Sequence, residues 1–294
     1  MSPLPTARTR LRSRAGLLIG MLAICSPILA TTNRQSTTTQ SALPDSSKLL
    51  TRCFRSMGGE TKIESIQSMD INGSISIQEQ VVASIVMKFA QGKRSLVSIK
   101  VTSDQFNSTT EFGCDGTTAW ELERNSTGTS PERARLLSPS ALNDRIKANN
   151  WLGRVLHLAS DSSTMKTTGK VDFNGRESWA VDVTTLGDAL QVYFDIETRL
   201  ANGFRLEVQT PLEDADADPE PIYLDIVFGN WKSVQDIMFF HEVRILQGEQ
   251  EIEINYDSIS INTLEPGQFT LPPAIQAVVD EQAQQATDPT TDPD

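Results

Sequence analysis

The stretch from Met69 to Val101, MDINGSISIQEQVVASIVMKFAQGKRSLVSIKV, decides the fold class. Met69, Ile71, Ile75 and Ile77 alternate with polar residues, and Val81, Ala83, Ile85, Met87 and Phe89 repeat the pattern. Val97, Ile99 and Val101 then alternate against Ser98 and Lys100. Side chains along a strand point to opposite faces in turn, so a period of two predicts antiparallel strands with one dry and one wet face. Gln91-Gly92-Lys93 turns the chain between the second and third runs.

The same alternation returns downstream. Cys114-Asp115-Gly116-Thr117 is a tight-turn signal that leads into Trp120 and Leu122, and Asn174-Gly175 is the strongest short hairpin signal in the chain. After it come Trp179 to Val183, Leu190 to Phe194, Phe204 to Val208, Ile222 to Phe228, Ile237 to Ile245 and Ile252 to Tyr256. These runs predict a mainly β fold of about ten or eleven strands. An antiparallel sheet of that size accumulates twist and curls toward an open half-barrel.

Two helical segments flank or interrupt the strands. Leu49, Leu50, Cys53, Phe54 and Met57 are spaced for one helical face, and Gly58-Gly59 supplies a left-handed stop. Between the two halves of the sheet, Ser138 caps a helix with Pro139 at its first position. Leu142, Ile146, Leu152, Val155, Leu156 and Ala159 then share a face. The expected arrangement is a curved sheet with a few helices over its concave face.

Outside this body the composition changes. Arg8, Arg10, Arg12 and Arg14 precede the apolar run Ala15 to Ile24, and Ser26-Pro27 breaks it before Ala30. Residues 1–30 therefore read as a secretory signal peptide. Cys25 is a candidate lipidation point, although Ile24 is bulky for such a site. Residues 31–46 read as a disordered polar tether, 47–279 as the folded domain and 280–294 as a disordered acidic tail. These features predict an exported protein of the periplasm or cell envelope.

The chain has 294 residues, 38 acidic and 26 basic, and a formal charge of −12. Loss of residues 1–30 removes four arginines and takes the charge to −16. Such a surface is unsuited to nucleic acid, because nothing neutralises a phosphate backbone. Apolar residues make up only 38%, which the polar ends dilute. Two cysteines remain in the exported portion, Cys53 and Cys114, an even pair that forms either a disulfide or two separately buried thiols.

Catalytic and metal patterns are sparse. His157 and His241 have no partner at metal-ligand spacing, and no nucleophile elbow, phosphate loop or C-x-x-C pair occurs. Asp214, Asp216 and Asp218 alternate as in a calcium loop, but Pro219 stands where glycine is needed, so an acidic surface loop is the better reading. Asn72, Asn107 and Asn125 begin sequons that carry little weight in a chain so rich in serine and threonine. No enzyme activity, cofactor or metal is expected.

Several pieces in order resemble the periplasmic outer-membrane lipoprotein-sorting and lipoprotein-carrier superfamily. They are Met57-Gly58-Gly59 with Ile63 and Ile66, Cys114 to Trp120, Tyr193 to Leu200, and Asn262-Thr263-Leu264 with Phe269 to Pro272. The resemblance implies a half-barrel whose helical lid covers an apolar cavity for lipid or lipoprotein acyl chains, with other envelope proteins as partners. It transfers no functional residue, since the matched pieces are turns and strand ends. Ile75, Ile77, Ile85, Met87, Trp120, Leu122, Trp151, Leu152 and Val155 are the candidate lipid-binding residues, and the same residues would equally make a packed core. Two functions follow. One is an acyl-chain-binding carrier, with a role in lipoprotein sorting; the other is a structural or partner-binding envelope module with a filled core.

Overall fold

The computed structural model describes residues 43–103, 106–125, 132–185, 188–208 and 222–287. The expected signal peptide, Cys25, residues 31–42, the Asp214–Asp218 run and residues 288–294 lie outside them. Helix α1 (Ser46–Met57) begins at Asp45, whose carboxylate accepts from the Lys48 amide at 3.1 Å. It ends at Gly58, which takes φ 125° and lies so close to the Asp236 carbonyl that a Cβ would collide with it. Helix α2 (Glu60–Glu64) follows at once.

Then come β1 (Ser68–Ile77), β2 (Gln80–Ala90), β3 (Arg94–Thr102), β4 (Asn107–Cys114), β5 (Ala119–Asn125) and β6 (Arg133–Leu136). Helices α3 (Pro139–Asn149), α4 (Trp151–Leu156) and α5 (Leu158–Asp161) interrupt the strands. Strands β7 (Ser162–Phe173), β8 (Arg176–Thr185), β9 (Asp188–Asp195), β10 (Ala201–Val208), β11 (Ile222–Val234), β12 (Ile237–Gln247) and β13 (Gln250–Ile261) complete the sheet. A 3₁₀ turn at Pro266–Phe269 and helix α6 (Pro273–Thr287) close the described chain.

The local signals work as expected. The Ser138 hydroxyl accepts from the Ala141 amide at 3.2 Å, with Pro139 opening α3. Asn174 and Gly175 take φ 53° and 77° between β7 and β8, the left-handed pair that a two-residue hairpin needs. At Cys114–Thr118, Asp115 Oδ1 accepts from both the Thr117 and Thr118 amides at 2.8 Å.

All thirteen strands form one open antiparallel sheet in the order β6-β5-β4-β3-β2-β1-β13-β12-β11-β10-β9-β8-β7. The expectation of ten or eleven strands is corrected upward. The additional ones are β4, β6 and β7, where Ser, Thr and charged residues hide the alternation. Two of these, β6 and β7, are the free edges, where burial is least and polar residues guard against unwanted pairing. The segment α3–α5 leads from one edge strand to the other.

Register fixes which side chains share a face. Ile71, Met87, Val97, Phe112 and Glu121 lie opposite one another from β1 to β5. Ile77, Ile252, Ile245, Ile226, Phe204, Val192 and Val181 continue the same face from β1 through β13 to β8. This inner face carries α1, α3 and α4. The Thr167 hydroxyl on β7 donates to the Pro44 carbonyl at 2.7 Å and Ser46 Oγ donates to the Met165 carbonyl at 3.2 Å, while Gly58 rests on the β11–β12 turn. Helix α1 thus crosses from β7 to β12, about five strand spacings of ~4.8 Å.

The opposite face pairs charged residues such as Asp70 with Lys88 and Arg205 with Asp225, and it carries a small buried apolar cluster of Phe173, Ala180, Tyr193 and Val227. It also holds α6 and the 3₁₀ turn. Ile275 packs there on Trp120 and Leu122, with Leu96, Ala134 and Leu136 around them. The helices therefore do not all cover one face, because β5 places an apolar pair outward and that pair needs its own cover. Helix α6 also runs to Thr287, beyond the sequence boundary at 279.

Candidate functional site

Each sequence-predicted lining residue has a definite place. Ile75, Ile85 and Met87 are 5%, 1% and 1% exposed on the inner face, and Ile77 is half-buried near the far end of β1. Trp151, Leu152 and Val155 are buried on α4. Trp120 and Leu122 point away from this group, because register sets Glu121 opposite Phe112 and turns its neighbours to the α6 side. One cavity cannot be lined by all nine. None of the nine is among the residues lining a cavity that opens beside this group.

That cavity, about 450 Å³, lies where the start of β1 and the end of β2 meet α1, α2 and the α4–α5 segment. Phe54, Ile63, Ile66, Met69, Phe89 and Leu156 supply its apolar wall. Glu60, Glu64, Gln67, Ser68, Gln91, His157 and Ser160 supply the polar part. The volume falls within the range typical of small-molecule sites, and an apolar wall with a few polar groups is their usual chemistry.

Local sequence explains why these residues converge. The Gly58-Gly59 stop ends α1 just past Phe54, and Ile63 on α2 is then buried on the same side. Lys62 is held away by an ion pair to Asp236 at 3.4 Å. The Asn262 side chain accepts from the Gln67 and Ser68 amides at 2.6 and 3.2 Å and donates to the Ser65 carbonyl at 3.2 Å, fixing the entry into β1. Asn150 ends α3 and caps α4, its Oδ1 accepting from the Gly153 amide at 2.8 Å. That bend carries Leu156 to the cavity wall.

Beyond the cavity the inner face is buried and holds several polar groups. Under α3, Glu121 is 1% exposed and ion-paired with Arg145 at 2.6 Å and with Arg135, while Arg145 also stands over the Phe112 ring. Trp151 Nε1, His241 Nε2 and Tyr256 Oη are buried with no hydrogen-bond partner among the described residues. Burial pushes the Tyr256 hydroxyl's pKa well above its ordinary value.

Cys53 and Cys114 are both buried and free. Six strands separate β4, which carries Cys114, from β10, whose Ala201 backbone meets Cys53, so the second of the two cysteine readings is the one observed. Burial raises the Cys53 thiol from 9.0 to about 12, which leaves it inert. His157 is exposed and His241 is buried with Nδ1 at 2.7 Å from the Tyr256 carbonyl. Asn72 and Asn107 are exposed and Asn125 is half-buried. No group of three His, Cys, Asp or Glu side chains suited to a metal occurs among the described residues, and no described helix is long and apolar enough to cross a membrane.

No protein-family model matches the chain, and no curated protein matches it. Solved structures do. A LolA superfamily protein from Nitrosomonas europaea aligns over 77% of this chain and 97% of its own, at 9% identity and a TM-score of 0.47. An outer membrane lipoprotein-sorting protein domain from Vibrio parahaemolyticus aligns over 77% and 97%, at 13% identity and 0.40. The lipoprotein LppX of Mycobacterium tuberculosis aligns over 75% and 98%, at 10% identity and 0.30.

Proposed function

We propose that this chain is an exported, non-enzymatic binding protein that shelters an acyl chain in the cavity between α1, α2, α4 and the β1–β2 strand ends. The observation that carries the reading is the apolar wall of Phe54, Ile63, Ile66, Met69, Phe89 and Leu156 around about 450 Å³. The sheet and its inner helices act as a half-barrel with a lid. Hydrocarbon entering the cavity gains roughly 0.8 kcal/mol for each methylene removed from water. No nucleophile, cofactor or metal takes part.

A longer chain extends inward by lifting α4. It then meets Trp151, Leu152 and Val155 on the helix and Ile75, Ile77, Ile85 and Met87 on the sheet. Trp120 and Leu122 stay under α6 and take no part. The signal-like N-terminus supports a periplasmic or envelope location, with a place in lipoprotein transport or sorting. Envelope proteins that hand over or receive the lipid are the natural partners.

A second reading, a structural or partner-binding module, is favoured by the tight filling under α3 and α4, where Leu152 and Val155 are 1% and 0% exposed. The test is native mass spectrometry of protein purified from an exported fraction, followed by titration of the delipidated chain with a fluorescent acyl probe. Co-purifying lipid and saturable binding are expected, and Ile66→Trp, which fills the cavity from its partly exposed wall, weakens binding about tenfold or more. A chain that carries no lipid and ignores the probe is the structural module instead.

A further inference from the structure

The polar groups of the cavity define which head group it accepts. Glu60 and Glu64 stand four residues apart on α2, hence on one helical face, and both line the cavity. The other polar lining residues are Gln67, Ser68, Gln91, His157 and Ser160, and no Lys or Arg is among the described lining residues. Three cations near these elements make other contacts. Lys62 is paired with Asp236, Lys88 lies 3.7 Å from Asp70 on the outer face, and Arg94 donates to the Gln91 carbonyl at 3.3 Å.

Resting on the acyl-binding reading, we infer that the site selects lipids with an uncharged or cationic head and rejects those ending in a carboxylate or phosphate. A ligand whose tail fills the wall of Phe54, Ile66 and Phe89 leaves its head beside Glu60 and Glu64. An anionic head there meets two like charges, and the described lining residues supply no guanidinium or ammonium group to offset them. A hydroxylated or amide head instead finds acceptors on the carboxylates and both donors and acceptors on Gln67, Gln91 and Ser160. A cationic head gains Coulomb attraction from the same pair. The carboxylates are exposed, so the discrimination is moderate and screened by salt.

The test uses the delipidated full chain at pH 8. Monolaurin, lauric acid and dodecyltrimethylammonium, three heads on one chain length, compete against N-phenyl-1-naphthylamine. At low ionic strength monolaurin and the quaternary amine displace the probe at concentrations roughly tenfold below those of laurate. In 0.5 M NaCl the gap narrows to about twofold. Glu60→Gln with Glu64→Gln brings laurate within about twofold of monolaurin by tightening laurate and removes the salt dependence of the gap, and a urea midpoint equal to that of the unsubstituted chain reports that the exposed substitutions preserve the fold. Equal displacement by all three in the unsubstituted chain overturns the head-group selection and leaves acyl binding standing. Failure of the chain to bind the probe or any competitor overturns acyl binding, and the selection with it.

Discussion

The inner face of the sheet has a closed middle and an open end, built from the same kinds of residue. In the middle, Ile71, Met87, Val97 and Phe112 are 0–2% exposed beneath α3 and α4. At the β1–β2 end, Phe89, Ile66 and Met69 border a cavity. The strands do not differ in pattern between these places; what differs is the cover. Over the middle, α4 presents Trp151, Leu152 and Val155 in six residues, bulky enough to fill the space. At the end, the short α2 and its turn leave the gap unfilled. Binding capacity here comes from what the helices omit.

The comparison breaks most readily in the closed middle. Trp151→Ala should cost about 3–5 kcal/mol in urea unfolding, through lost burial plus a cavity, whereas Ile66→Ala at the open end should cost under about 1 kcal/mol because that side chain is already half-buried beside empty space. Equal losses would mean that the two regions are packed alike. Next in size, Glu121→Gln should destabilise by about 2–3 kcal/mol, since it strips the counter-charge from Arg145 under α3. Arg135 is 58% exposed and rehydrates, which keeps the loss below that for a fully buried triad. Acyl-probe affinity should be unchanged in this variant, and a parallel fall would place the middle inside the binding site.

A third outcome is read in alkali. The folded Cys53 thiol stands near 12, above its ordinary 9.0, because burial disfavours the thiolate. The folded state then holds the proton longer, so its contribution is complete below pH 9 and declines through the window from 9 to 12. At pH 10.5 the loss reaches about 2 kcal/mol, and the difference from Cys53→Ala, which lacks this slope, isolates it in denaturant titrations. Smallest, Ser138→Ala should remove about 1 kcal/mol by uncapping α3, seen as a modest fall in Tm with no change in probe affinity.

Much of this is legible in the amino-acid sequence alone. Helix α1, the Ser138 cap, the Asn174-Gly175 hairpin and ten strands are written in apolar period, glycine placement and turn chemistry. Strands β4, β6 and β7 were not, since NSTTEFGC, RARL and SSTMKTTGKVDF carry few apolar residues in alternation. An edge strand is specified by the neighbour it pairs with more than by its own pattern. Helix α6 passes the boundary expected at Val279; its later residues, Asp280 to Thr287, have no apolar period, and Ile275 is the one fully buried side chain among its described residues.

The candidate site was legible residue by residue but not as a site. Phe54, Met69 and Phe89 were visible as members of apolar runs, and Ile63 and Ile66 as parts of a motif, yet nothing local said that they meet. The strand residues and the Trp120 pair looked equally suited to a lining, and only the parity of β5 against β4 separates them.

The sequence by itself determined the mainly β class, the acidic surface, the helix stops and the turn positions, because each depends on residues within a few places of one another. Tertiary structure alone decided which face α6 covers, that Cys53 and Cys114 remain apart, and where the cavity lies. Those outcomes depend on pairing register and on the volume the helices fill. Both are set by contacts between segments as distant in sequence as β1 and β13, and no local pattern encodes them.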